Sequence, residues 1–144
     1  MKLGTRARYS LRLMLAVAKL GVEGKPVPLE DISRATKISR SYLDQLTVSL
    51  KNLSLLRGHS GRSGGYTLGK PAGEIRLAEI IQAAIGPIAI VDCAVDPNLC
   101  PQSEFCDCMP LWELVNRRIV EVLDAYSLAD LLDRDWLSKI RSMG

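Results

Sequence analysis

At 144 residues with 47% hydrophobic side chains, the chain can bury one core and a satellite cluster but not several domains, and no apolar run approaches the roughly 20 residues a membrane-spanning helix needs. The formal charge is only +3, yet residues 1–70 carry 13 Lys+Arg against 4 Asp+Glu, a balance of +9, whereas residues 71–144 carry 6 against 12, a balance of −6. A basic half followed by an acidic half suits a polyanion partner for the first half alone; an uneven but solvated surface is the plainer alternative. The opening Met1-Lys2-Leu3-Gly4 has no charged-then-apolar leader, which predicts a cytoplasmic protein whose thiols are kept reduced.

Residues 5–20 read as a helix with Leu11, Met14, Leu15 and Ala18 inward and Arg6, Arg8 and Arg12 outward, stopped by Gly21 and Gly24. Pro26 and Pro28 make residues 25–29 an extended connector. A short helix follows with Leu29, Ile32 and Ala35 at spacing three. After a tight link at Thr36-Lys37-Ile38, a second starts at Ser39, a good N-cap residue, with Leu43, Leu46 and Leu50 inward. Two short helices so joined, the second rich near its start in Ser39, Arg40, Ser41, Tyr42 and Gln45, fit a helix-turn-helix; an ordinary helical hairpin fits equally well.

The next stretch favours DNA. Leu53–Arg57 and Gly65–Leu68 alternate like two strands around a glycine-rich tip, residues 58–64, as in a winged helix. Glycine allows close approach to phosphate, and Arg57 and Arg62 supply charge. The tip lacks the Gly-Lys-Ser/Thr ending of a nucleotide-binding loop. A further helix from Ile75 to Ala84 carries Leu77, Ile80, Ile81 and Ala84 on one stripe and stops at Gly86-Pro87.

Cys93, Cys100, Cys106 and Cys108 lie within sixteen residues that show almost no helix or strand pattern. In a reducing compartment such a cluster points to metal or redox chemistry rather than a disulfide frame. From Leu111 to Tyr126 a long amphipathic helix aligns Leu111, Val115, Ile119, Val122 and Tyr126, more apolar surface than the remaining chain can cover, which predicts a homodimer built on this helix. Ser127 and Asp130 then cap a short final helix, Leu128 to Leu132.

Taken in order, Arg8-Tyr9, residues 28–33, Ile38-Ser39, residues 41–46, Gly64-Gly65-Tyr66 with Leu68-Gly69-Lys70, the cysteine loop and Leu111-Trp112 resemble the bacterial winged-helix transcription regulators of the Rrf2 type, the family of IscR-like and NsrR-like regulators. The resemblance implies a dimer on a two-fold double-stranded DNA operator, with the recognition helix in the major groove and the wing at an adjacent minor groove. By position, Ser39, Ser41, Tyr42 and Gln45 match the recognition segment, and Arg62 with Gly64 the wing tip. It also implies an iron–sulfur cluster, 2Fe–2S rather than 4Fe–4S, ligated by Cys93, Cys100 and Cys106. The fourth ligand departs from the pattern. IscR-like proteins place a histidine where Met109 stands, and NsrR-like ones use an acidic residue in the first helix, where this chain has Arg8 and Tyr9. Cys108 is the substitute the sequence offers, and His59, in the wing, reads as a DNA or solvent contact.

The expected fold is therefore mainly α with a small β-hairpin wing: a winged helix-turn-helix domain over residues 1–85, a cysteine-rich loop over 86–109, and a dimerisation helix with a C-terminal helix over 110–144. The expected function is transcription regulation, with cluster-free control by thiol oxidation, zinc or a partner enzyme as the alternative. No Cys-x-x-Cys redox signature or Rossmann glycine pattern argues for an enzyme.

Overall fold

The computed structural model describes residues 2–143. Among the described residues, seven α-helices and one antiparallel hairpin run in the order α1 (Thr5–Leu20), α2 (Leu29–Thr36), α3 (Arg40–Asn52), β1 (Leu56–His59), β2 (Gly65–Leu68), α4 (Leu77–Ile85), α5 (Met109–Ala125), α6 (Leu128–Leu132) and α7 (Arg134–Ser142). The structure is thus mainly helical with a two-strand hairpin.

The core joins α1 to the helix-turn-helix. Leu13, Met14 and Val17 of α1, Ile32 of α2, and Leu43, Leu46 and Leu50 of α3 share one cluster with Leu55, Leu56, Ile75 and Ile80. Full burial of one such leucine stabilises by about 1.5–3 kcal/mol, so three on α3 fix which face of that helix looks out. The face of α1 differs from expectation. Ala7, Ser10, Leu13, Met14, Ala16 and Val17 are buried, while Leu11, Leu15 and Ala18 only flank the core. Small residues at Ala7 and Ser10 let α4 approach, and proximity outweighs side-chain size. In α2, Ile32 and Thr36 are buried but Ala35 is exposed.

The turn between α2 and α3 closes with Lys37 in the left-handed region (φ 60°), and Ser39 caps α3 as expected, its Oγ accepting from Tyr42 N at 3.3 Å. The first strand starts later than the alternation suggested. Ser54, at φ 58°, turns the chain after α3, so only residues 56–59 pair with 65–68, in the register Leu56 to Leu68 and His59 to Gly65. The hairpin is not free: Val27 of the proline connector exchanges two backbone hydrogen bonds of 2.9 Å with Tyr66. Gly65, at φ 148°, lies against the Val27 backbone, where a Cβ would collide.

The chain end folds back onto this unit. Leu77 N donates to Tyr126 O at 3.0 Å, Leu128 N donates to Ile75 O at 2.8 Å, and Leu128 is fully buried in the main core. The Ser127/Asp130 capping box forms as expected, but α6 is not the last helix. Asp133 caps α7, whose Trp136 packs edge-on against Tyr126 with ring centroids 4.9 Å apart.

Candidate functional site

With Leu43, Leu46 and Leu50 at 0% exposure, the opposite face of α3 presents Ser41, Asp44, Gln45 and Val48 to solvent, with Ser39 and Arg40 at its start. Gln can pair bidentately with adenine, hydroxyls can bond phosphates or base edges, and an exposed valine can meet a thymine methyl. Tyr42 behaves differently from the others. It is half-buried, its ring edge-on to Tyr9 at 5.9 Å, so its body braces α3 against α1. Ser39 divides its hydroxyl between the cap and a 3.5 Å approach to Ser41 Oγ.

The hairpin flanks this face. Arg57 and Arg62 are exposed, and a cleft of about 640 Å³ opens between the hairpin, the start of α2 and Lys51 at the end of α3. Lys51 Nζ lies 5.9 Å from the centroid of the Tyr66 ring, joining recognition helix to wing; nothing in the sequence pattern singled this lysine out. Among the described residues, none of Arg40, Lys51, Arg57 or Arg62 is in a salt bridge, which leaves their charge available to phosphate. Gly64 has a conformational reason to be glycine, since a Cβ there would strike the carbonyls of His59 and Gly61. His59 shares a 2.9 Å hydrogen bond with Thr67 and so belongs to the hairpin.

The cysteine segment is irregular, with three 3-10 turns at Asp92–Ala94, Pro97–Leu99 and Ser103–Phe105 before Cys108 begins α5. All four thiols are free; Cys93, Cys100 and Cys106 are half-buried and Cys108 is exposed. Their chemistry fits iron–sulfur or zinc ligation. Their placement does not form such a site: among the described residues no three Cys, His, Asp or Glu side chains stand together as a metal needs. Met109, at the position where IscR-like proteins place a histidine, is 7% exposed and packed inward.

The root of the loop is firmly held. Asn116 of α5, buried at 8% exposure, donates from Nδ2 to Ile88 O (3.1 Å) and accepts from Ile90 N (2.9 Å). Ile88 packs in a second small core with Ala7, Ala78 and Ile81, flanked by Ile119, Val120 and Leu123. Asn116 was legible in principle, as the polar residue between Met109 and Leu123 at heptad spacing. On another side of α5, Leu111, Leu114 and Val122 are 53%, 42% and 56% exposed.

A family model described as an iron-dependent transcriptional regulator, Rrf2, matches residues 3–134. The regulator IscR of Xenorhabdus nematophila is 40% identical over 138 residues, covering 92% of this chain and 79% of that protein. The solved structure of CymR, titled the global cysteine regulator of B. subtilis, is 32% identical and superposes with a TM-score of 0.74 over 91% of this chain and 95% of that one. T. potens IscR gives the same score at 29% identity, over 92% of this chain and 86% of that one. These relatives are transcriptional regulators rather than enzymes, and the chain belongs to the Rrf2 family of transcriptional regulators.

Proposed function

We propose that this chain is a cytoplasmic homodimeric regulator that reads a two-fold DNA operator, and that an iron–sulfur cluster held by Cys93, Cys100, Cys106 and Cys108 sets its operator affinity. The observation that carries the DNA reading is the one-sided α3: three leucines fully buried, with Arg40, Ser41 and Gln45 exposed beside the unpaired cations of the hairpin. In this reading α3 enters the major groove, and Arg57, Arg62 and Lys51 engage the flanking backbone or the narrow minor groove. The exposed Leu111, Leu114 and Val122 give α5 an apolar face for a second copy.

Support for the cluster comes from the thiol content of the loop, the iron-dependent description of the family model and the relationship to IscR. When bound, such a group supplies a thiolate-ligated centre whose gain or loss reports iron or redox state. In this reading, gathering the four thiols orders the loop, and that ordering is the regulatory event. The test is a visible absorption spectrum with iron and sulfide analysis of protein purified without oxygen, repeated for Cys108→Ser, alongside operator binding. Sulfide-to-iron bands lost in the variant would support four-thiolate ligation, whereas a colourless, iron-free protein with unaltered DNA binding would overturn it.

A second reading is cluster-free control through thiol oxidation, zinc or an enzyme partner. The relationship to a global cysteine regulator favours it, as does the exposure of Phe105 (87%) and Leu99 (64%) in the loop. Zinc in place of iron, or co-purification of a cytosolic enzyme under reducing conditions, would select it.

A further inference from the structure

We infer that Arg6 is a positioning residue that couples the root of the cysteine loop to the seat of the recognition helix. Its side chain is half-buried on α1 instead of solvated on the outer face, and it binds two other helices at once. Nε donates to Ala84 O at 2.7 Å, and Nη2 donates to Ser49 Oγ at 2.9 Å. Ala84 belongs to the last turn of α4, where carbonyls lack partners within the helix and a cation is favoured. Ser49 lies on α3, one turn beyond Gln45 on the edge of the outward face.

The first contact leads directly to the loop. Two residues after Ala84 the chain turns at Gly86 (φ 82°) and enters the segment that Asn116 grips at Ile88 and Ile90. Ile88 shares the second small core with Ala7, the neighbour of Arg6, so the loop root and the guanidinium converge on the same turn of α1. A displacement of the root therefore acts on the Ala84 carbonyl and on α1 together. The planar guanidinium fork transmits it to Ser49, because a rigid fork cannot keep both acceptors if one moves. The two contacts lie 78 and 43 residues away in sequence, so local helix propensity cannot supply this link.

The inference rests on the reading that the loop controls DNA binding, and the experiment separates the two. A fluorescent operator duplex selected from a random pool is titrated with four full-length proteins: the natural chain, Ser49→Ala, and each of these with all four cysteines changed to serine. The ratio of affinities with and without thiols measures loop control, whether the centre is iron, zinc or thiol. Ser49→Ala should change the affinity of the cysteine-free protein by no more than about twofold, as a substitution at a half-buried edge does. It should also collapse the thiol-dependent ratio by a factor of roughly 2 to 30, the range over which coupling residues act. Arg6→Gln should do the same, and its melting temperature shows whether it remains folded.

If the natural chain and its cysteine-free form bind equally, loop control itself fails and the coupling falls with it. A natural chain that responds while Ser49→Ala responds just as strongly overturns the role of Arg6 alone. Weakened binding in Ser49→Ala with the ratio preserved would mark a purely structural contact and also overturn it.

Discussion

The recognition unit and the cysteine loop differ in how their residues are held. α3 has three side chains at 0% exposure, a serine cap and a hairpin tied by two backbone bonds to Val27, so its outward face is fixed before any DNA arrives. The loop is anchored at its root by Asn116 and at its far end by the start of α5, and between them it exposes Val95, Leu99 and Phe105. A surface that reads a groove benefits from preorganisation. A segment proposed to gather four thiols benefits instead from freedom to rearrange.

The largest effect that sharpens this contrast is expected for Leu46→Ala, at about 2–5 kcal/mol in a urea melt followed by circular dichroism. Phe105→Ala should stay within about 0.5 kcal/mol in the same assay. Equal losses would erase the distinction between the regions. Gly65→Ala comes next, at about 1–3 kcal/mol, because it combines a backbone angle that L-residues rarely adopt with a collision against Val27. It should weaken operator binding while leaving any visible cluster spectrum unchanged. Retention of wild-type affinity would show that the wing need not be seated.

Arg62→Ala should leave stability alone, weaken binding to all sequences alike and lower the slope of log affinity against log salt by about 1. Asp124→Asn, on the charged side of α5, should leave that slope unchanged.

The smallest effect concerns acid stability. Burial tends to raise the Glu79 carboxyl, but the side-chain hydrogen bond from Lys70 and the Arg76 backbone N–H, with the charges of both residues, outweigh it and hold the group below its ordinary 4.5. The ionised form is thus favoured by folding. Its contribution is complete above about pH 4.5 and disappears as pH falls through the lower folded value. Glu79→Gln should therefore lose some stability at neutral pH and show a shallower acid limb, and an unchanged melting curve from pH 3 to 7 would refute the assignment.

Periodicity in the sequence revealed what depends on one stripe of side chains. The bounds of α1, the Ser39 cap, the buried face of α3 and the stripe on α4 all follow from apolar spacing and cap chemistry. It failed where a contact partner decides the matter. Ala7 and Ser10 are buried because α4 lies close, and Leu53 and Leu55 alternate like strand residues although Ser54 turns the chain between them. Arg6 has the composition of a surface residue, and only the placement of Ala84 and Ser49 beside it reveals its bonds. The four cysteines were conspicuous as chemistry, but a loop with no repeating pattern gives no spacing from which to place one sulfur relative to another.

The return of Leu128 to the core completes a helix α5 held along its length, with Leu123, Val120 and Ile119 against the second core, Asn116 on the loop root and Met109 buried at its start. Its 17 residues span about 25 Å at 1.5 Å per residue, from Cys108 at one end to the turn before Leu128 at the other. At that length a tilt of about 5° corresponds to ~2 Å at the cysteine end. A shift of the loop end therefore has to disturb the second core before it can tilt α5, and with it the dimer proposed to form on that helix. The proposed path through Ala84 and Arg6 needs no tilt of α5, and it reaches α3 within the span of one side chain.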